Sequence, residues 1–553
     1  MRAPRAAPAR RAAPPRSGVT GTATLAAVTT GEPKPIDRSD REGPEDHLEW
    51  WKEGVVYQIY PRSFSDSTGD GVGDLPGVTA RLDHLGALGV DAVWLSPFFR
   101  SPMADFGYDI SDHCDVDPIF GDLADADDMV RRAHAEGLKV VVDFVPNHVS
   151  DQHPWFAAAR SDRSDPHRDW FMWRDPAPDG GPPNNWTAAF SADPSWTFDE
   201  ASGQYYLHLF LPEQPDLDWN HPDVVHAMHD VLRFWMDRGV DGFRADVVHC
   251  IGKDPRLPDM PDELVGLPAM LQDFGPGTHD QLRAMRRLLD ARGAMMVGET
   301  YVLDTAVMAS YLEGGDQLHL AFNFPALHCP WDARRWTDEI RAAYDLMDPI
   351  GAWPTWVLSN HDVVRHRSRY GTEARARAAA VLLLTLRGTP FLYMGEELGL
   401  EDAVVPPDRV VDPGGRDGCR APIPWTVSAD HGWGGPTWLP FPPDAARRSV
   451  EAQRGDPTSM LEHYRRLLHL RRSTPALHRG EIEVLDAPEG VLRYRRTAAS
   501  GPHRDVEIAI NFTEDQVSGS VSDGDVLGGT ALPGSRPTPG VLAPDEARIV
   551  ALG

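Results

Sequence analysis

Short apolar runs rich in β-branched residues recur along the chain, each closed by Gly, Pro, Asn or Asp. Eight of them have the length and composition of buried strands: 55–60, 92–97, 140–146, 242–248, 295–299, 318–324, 355–359 and 391–395. Between most of them the apolar positions switch to helical spacing, as in 78–88, 124–136, 224–238 and 280–292. Strand–helix alternation repeated eight times predicts an α/β fold, a closed parallel (β/α)8 TIM barrel. An open doubly wound sheet is the structural rival. In a barrel, the C-terminal ends of strands 3, 4, 5 and 7, where polar residues gather, converge on one face.

Two segments break the alternation. Residues 149–216 are rich in Trp, Pro, Asp and Asn and too long for a plain loop, which predicts an inserted small domain, domain B, after strand 3. Beyond a helical stretch at 461–472, short strand patterns at 481–485, 491–496, 506–511 and 547–552 predict a C-terminal antiparallel β-sandwich domain over 475–553. The catalytic barrel is thereby assigned to 46–148 and 217–474. Residues 1–45 are expected to form a disordered N-terminal tail. Their first 31 residues hold five Arg and no acid, and no apolar stretch follows Arg10-Arg11 as a secretion signal requires. The apolar run 381–386 is far short of a membrane span, so no membrane association and a cytoplasmic location are expected.

Over 553 residues the formal net charge is −29. A surface that acidic repels phosphate backbones and anionic lipid, which argues against nucleic acid as a partner. A hydrophobic share of 41% with 25% charged residues excludes an integral membrane protein and a mostly disordered one. The four cysteines, Cys114, Cys250, Cys329 and Cys419, are widely separated. They form no metal or redox motif and are expected to be buried free thiols.

Three acids stand at predicted strand ends: Asp246 in Gly-Phe-Arg-Ala-Asp, Glu299 in Val-Gly-Glu, and Asp362 in Ser-Asn-His-Asp. Retaining glycoside cleavage needs two carboxyls about 5–5.5 Å apart, one as nucleophile and one as acid/base, and neighbouring barrel strands can supply that spacing. Arg244 precedes Asp246 by two, so on a strand both side chains point the same way. The guanidinium would orient that carboxylate and hold it ionised. Burial beside other acids would keep Glu299 protonated.

These residues fall in four short motifs: Asp143-Phe-Val-Pro-Asn-His148, Gly242-Phe-Arg-Ala-Asp246, Val297-Gly-Glu299 and Ser359-Asn-His-Asp362. The chain thereby resembles glycoside hydrolase family 13, the α-amylase family. Within it, segments 56–64, 107–112, 214–218 and 416–425 look most like exo-acting α-glucosidases and oligo-1,6-glucosidases; 318–324 and 246–255 look like actinobacterial α-glucosidases. The resemblance implies a retaining exo-α-glucosidase that releases terminal glucose from short, neutral α-glucosides such as maltose. An oligo-1,6-glucosidase, or a transglucosidase or sugar isomerase using the same covalent intermediate, is the alternative. A non-catalytic relative is disfavoured because all three acids are present.

Residue by residue, the resemblance makes Asp246 the nucleophile, Glu299 the acid/base and Asp362 the third acid. His148 and His361 would hydrogen-bond the sugar in the −1 subsite. Asp105 and Arg416 would grip its far side, Tyr108 would lie under the ring, and Val247 would border the +1 sugar. Ala245 and Ile423-Pro424 depart from the residues common in this group, which blurs linkage preference rather than reaction. A monomer or weak homodimer is expected.

Residues 66–74, Asp-Ser-Thr-Gly-Asp-Gly-Val-Gly-Asp, place acids at positions 1, 5 and 9 of a Gly-rich turn. That spacing resembles a calcium loop in which Asp66, Thr68, Asp70, the Val72 carbonyl and Asp74 supply oxygen ligands. A structural Ca²⁺ is expected there, with Mg²⁺ as the alternative hard ion. The competing reading is an acidic surface turn.

Overall fold

The computed structural model describes residues 49–552 apart from Leu303 and Pro533. The expectation for residues 1–45 lies outside the described residues.

Eight parallel strands form the central sheet: β1 (Val56–Ile59), β2 (Ala92–Leu95), β3 (Lys139–Phe144), β4 (Gly242–Ala245), β5 (Met295–Gly298), β6 (Leu320–Ala321), β7 (Thr355–Val357) and β8 (Thr389–Tyr393). Their order is β6-β5-β4-β3-β2-β1-β8-β7, the sequential wrap of a barrel. Each of the eight runs read from the sequence overlaps one of these strands, generally ending earlier at the C-terminal side, where the chain turns to build the site; β3 and β8 begin one and two residues before their runs. Among the described residues no ladder joins β6 to β7. A side chain bridges that seam instead: the Thr355 hydroxyl donates to Ala321 O at 2.8 Å and accepts from Asn323 N at 3.2 Å.

Alternation along the strands sets the two sides of the wall. Val56, Trp94, Val141, Met295, Val297, Leu320, Val357 and Phe391 form the apolar filling inside the barrel. Tyr57, Val93, Val140 and Phe243 point outward into the larger core beneath the helices. Helix Leu123–Ala135 shows how that cover forms. Asp122 and Asp125 close its N-terminus as a capping box, and Ala126, Met129, Val130 and Ala133 bury one face. The apolar run at 381–386 falls mostly in helix Glu373–Thr385, which is buried on nearly every side. No helix among the described residues is long and apolar enough to cross a membrane.

The segment between β3 and β4 contains a three-stranded antiparallel sheet, with Gln204–Leu207 between Trp173–Arg174 and Trp196–Asp199. Its two ends meet at a neck, where His148 pairs with Asp216 and Leu217 N donates to Asn147 O at 2.9 Å. Toward the C-terminus a five-stranded antiparallel sheet comprises Glu481–Leu485, Val491–Thr497, Asp505–Asn511, Ala547–Ala551 and Asp525–Gly529. The last of these has no apolar alternation in the sequence and escaped the pattern reading. The four cysteines are free; three are buried and Cys114 is partly exposed.

Candidate active site

Asp246 follows β4 directly, Glu299 follows β5, and Asp362 lies five residues past β7. Arg244, inside β4, ties the first two together. Its Nη1 donates to Asp246 Oδ1 at 2.7 Å and to Asp143 Oδ1 at 2.6 Å, while Nη2 donates to Glu299 Oε2. The shared direction of Arg244 and Asp246 is the one expected of residues two apart on a strand. Asp143, on β3, stands in register with Arg244 and takes a second hydrogen bond from Trp94 Nε1 at 2.8 Å. The backbone at Val247 is left-handed, with φ of 32°. For a β-branched residue that is strained, and it aims the Val247 amide at Glu299 Oε2, 3.3 Å away. With Oε2 accepting both donors, Oε1 of Glu299 is the oxygen left to carry a proton toward a ligand.

The electrostatics correct one expectation. Arg244 orients Asp246, but burial outweighs its charge. Desolvation, reinforced by the neighbouring Glu299 and Asp143 carboxylates, pushes the Asp246 carboxyl well above the usual range despite Arg244. Burial likewise lifts Asp143 to about 6. Burial therefore makes the carboxylate form of the nucleophile candidate a high-energy one, whose charge is relieved when it forms a bond.

A second cluster faces the first. Arg416 Nη2 donates to Asp105 Oδ1 at 2.7 Å and Nη1 to Asp362 Oδ1 at 2.9 Å, so Arg416 bridges the two acids. Asp412, one turn earlier, holds the guanidinium through Nε and Nη2, at 2.9 and 2.7 Å. Arg420 adds a bond to Asp362 Oδ1 at 3.1 Å, and Phe190 lies under Arg416 with its ring centre 5.0 Å away. Burial opposes ionisation of Asp362, but the guanidiniums of Arg416 and Arg420 hold this carboxyl well below the usual range. The loop bearing Asp105 is pinned by buried Asp109, which accepts from the amides of Ala104 and Asp105 at 2.8 and 2.9 Å.

His361 and Tyr108 join the clusters. Their rings stack with 9° between planes, and Tyr108 Oη lies 2.7 Å from His361 Nε2. Gln58 Nε2 meets the other imidazole nitrogen at 2.7 Å. Burial drives the pKa of both His361 and His148 down to about 3, so both rings are neutral. His148 sits at the neck of the insertion, its Nε2 3.2 Å from Gln214 Nε2.

Every sequence-derived catalytic and sugar-binding candidate thus falls in one network: Asp246, Glu299, Asp362, Asp105, Tyr108, His148, Arg244, Val247, His361 and Arg416. Sequence reasoning missed Asp143, Trp94, Gln58, Gln214, Asp412 and Arg420 as parts of it. Asp143 was quoted as a motif residue without a role. Asp412 had a signal available, an acid four residues before Arg416.

The candidate metal residues lie elsewhere, in a loop that satisfies itself. Asp66 Oδ1 accepts from the Thr68 and Gly69 amides and the Thr68 hydroxyl, and its Oδ2 accepts from Gly71 N. Asp70 accepts from Val72 N, and Asp74 caps helix Leu75–Thr79 while holding Ser67. The donors are all oxygen, as a hard divalent cation requires. Their carboxylates, however, are turned onto amides, and no group of three or more His, Cys, Asp or Glu among the described residues is placed to hold a metal ion.

Comparison with known proteins bears on the family and the fold. Residues 58–480 match the family model for the α-amylase catalytic domain. A Rhizobium meliloti protein named "Probable alpha-glucosidase" is 42% identical over 486 residues, covering 82% of this chain and 88% of that protein. An oligo-1,6-glucosidase of Parageobacillus thermoglucosidasius is 36% identical, covering 84% of this chain and 91% of its own length. Among solved structures, the α-glucosyl transfer enzyme XgtA superposes with a TM-score of 0.84 at 41% identity, over 91% of this chain and all of that one.

Proposed function

The chain belongs to the α-amylase family, and on that premise we propose that it is a retaining exo-α-glucosidase acting on short α-glucosides. The observation that carries the reading is the Arg244 fork, which ties Asp246 and Glu299 to adjacent arms of one planar group. Carboxyls gathered on one guanidinium at neighbouring strand ends favour the retaining arrangement over the wider inverting one, which leaves room for a water between them.

Asp246 attacks the anomeric carbon while Glu299 delivers a proton to the departing glycosidic oxygen, giving a covalent glucosyl ester and a free aglycone. Glu299 then takes a proton from an incoming water, which displaces Asp246 and releases glucose with its anomeric configuration retained. Asp362, kept ionised by its arginines, stabilises the positive charge that develops on the ring. The Arg416–Asp105 pair, 2.7 Å apart, closes the far side of the pocket and favours attack at the non-reducing end. Val247 borders the leaving sugar, and a single methyl contact there discriminates between linkages by no more than about 1–3 kcal/mol. The lean toward α-1,4 substrates comes from the likeness of 246–255 and 318–324 to actinobacterial α-glucosidases, while Val at this position by itself goes with α-1,6.

The test is to incubate the enzyme with maltose, isomaltose, sucrose and trehalose and follow anomers and products by NMR. Glucose from p-nitrophenyl α-glucoside, whose other product has no anomeric centre, should appear first as the α-anomer, and β-glucose appearing first would refute retention. Loss of viscosity in soluble starch ahead of glucose release would refute exo attack. New disaccharides in place of glucose would shift the reading to glucosyl transfer, the reaction for which the similar XgtA is named. For loop 66–74 we propose Ca²⁺ on donor chemistry alone; binding there would require amide-held carboxylates to turn toward the ion, and no catalytic step involves it.

A further inference from the structure

The neck of the inserted segment holds a buried ion pair that no step above uses. Lys253 comes from the loop after β4 and Asp216 from the end of the insertion. The Lys253 ammonium lies 2.9 Å from Asp216 Oδ2, and both side chains are out of solvent. Such a pair costs about as much to desolvate as its attraction returns, so stability alone is a weak reason for it.

What the pair does is fix the direction of an amide. Lys253 Nζ can only donate, and it meets Asn147 Oδ1 at 2.5 Å. The Asp216 carboxylate can only accept, and it takes Asn147 Nδ2 on Oδ1 at 3.2 Å. Asn147 therefore has a single orientation, and its remaining N–H points at His148 Nδ1, 3.1 Å away. In a neutral imidazole one nitrogen accepts and the other carries the proton. Burial, with the Lys253 charge adding to it, keeps His148 neutral.

We propose that the Lys253–Asp216 pair is a tautomer lock: through Asn147 it holds His148 as the Nε2–H form and presents that proton to a hydroxyl oxygen of the substrate.

The other side of the ring shows why this matters. Gln214 is fixed as well, since Leu211 N donates to its Oε1 at 3.1 Å. Its NH₂ end donates to Asp105 Oδ2 at 3.2 Å and faces His148 Nε2 at the same distance. Two donors confront each other, and neither can satisfy the other; the protein oxygen beside the imidazole is the Tyr108 carbonyl, with which a ligand oxygen has to compete. An oxygen with free lone pairs resolves the conflict. A sugar hydroxyl accepts from His148 and gives its own hydrogen to Asp105, so the pocket selects an O–H group at this point. Lys253 and Asp216 are positioning residues in this scheme, acting through Asn147 and His148. The identity of the ligand as a terminal glucose rests on the function proposed above.

The lock can be read without turnover. In protein with ¹⁵N-labelled imidazoles, the His148 signals are those lost in His148→Gln. Nδ1 should show the shift of an unprotonated nitrogen in the wild type. Asn147→Asp, which keeps the ion pair but replaces the donor by an acceptor, should move the proton to Nδ1. The same substitution, and separately Lys253→Met with Asp216→Asn, should lower kcat/KM for p-nitrophenyl α-glucoside by about ten- to a hundredfold, the scale of one mispaired buried hydrogen bond. In a His148→Ala background either change should cost less than about threefold more, because the ring it acts through is gone. A protonated Nδ1 in the wild type, or equal losses in both backgrounds, would overturn the lock. A wild-type enzyme that turns over no α-glucoside would instead defeat the proposed function, while the ¹⁵N reading would still decide the tautomer.

Discussion

Replacing Arg244 by Lys tests the centre of the site. One guanidinium reaches Asp143, Asp246 and Glu299 at once, through two arms set in one plane. An ammonium keeps the charge but is a point donor on a flexible stem and cannot reproduce the fork. The lysine can stay with Asp143 and Asp246 and lose the bond to Glu299, or approach Glu299 and lose the other two. At about 1.5–3 kcal/mol each, that is roughly 1.5–6 kcal/mol. If the bonds hold the reacting groups in the transition state, kcat/KM should fall by about 10 to 10⁴. The assay is steady-state kinetics on maltose and on p-nitrophenyl α-glucoside, alongside thermal melting. Because the buried positive charge is retained, the Tm should change far less than in Arg244→Met, which strands three acids. A kcat/KM within tenfold of the wild type in a folded Arg244→Lys enzyme would refute the claim that the fork aligns the two carboxyls.

The other predictions follow from the same contacts. Asp246→Asn should fold normally and lose several orders of magnitude in turnover, since an amide cannot form the ester; near-normal maltose hydrolysis would contradict the assignment. Glu299→Gln should lose more on maltose than on aryl glucosides, whose leaving groups need less protonation; equal losses would remove its acid role. Stability should decline on the acid side of neutrality. His148, His153, His361 and His463 all have pKa values lowered to about 3 by burial, so below about 6.5 the unfolded chain takes up protons that the native state refuses. Asp143, raised to about 6, acts in the opposite direction between its unfolded value and that pH, as do the buried carboxyls of Asp246, Asp105, Asp109 and Asp216, which burial also raises; His113, His229 and His319, lowered to about 4, add to the four histidines. The Tm should therefore drop from pH 7 to pH 4.5, and a flat profile would contradict it. If loop 66–74 holds an ion, a chelator should lower the Tm with little change in low-temperature rates; no change in Tm together with no metal by elemental analysis would make it an acidic turn.

The barrel was legible because its strands are buried on both faces and read as continuous apolar runs, which few other elements imitate. The three acids were legible because each terminates such a run. What stayed hidden is of another kind. Asp143 lies within an apolar run, and its part depends on the register that sets it against Arg244. Gln214 and Gln58 are ordinary amides until the fold orients them. Asp216 and Lys253 lie on opposite sides of a 16-residue helix, Pro222–Asp237, so nothing local links them. Strand Asp525–Gly529 contains glycines and follows an acidic turn, so its local preference opposes the state that pairing with Ala547–Ala551 imposes. The metal loop shows the converse: its spacing is that of an ion site, while its carboxylates also suit the amides of the same turn, and spacing alone does not choose between them.

The Thr355 hydroxyl between β6 and β7 makes the wall of the barrel a belt with a buckle. Seven joints are ladders of backbone bonds; the eighth, among the described residues, is closed by one side chain. That joint separates the strands that carry Arg244, Asp246 and Glu299 from the strand that leads to Asp362. Removing that hydroxyl, as in Thr355→Val, would leave the Ala321 carbonyl and the Asn323 amide without the partner that closes the wall.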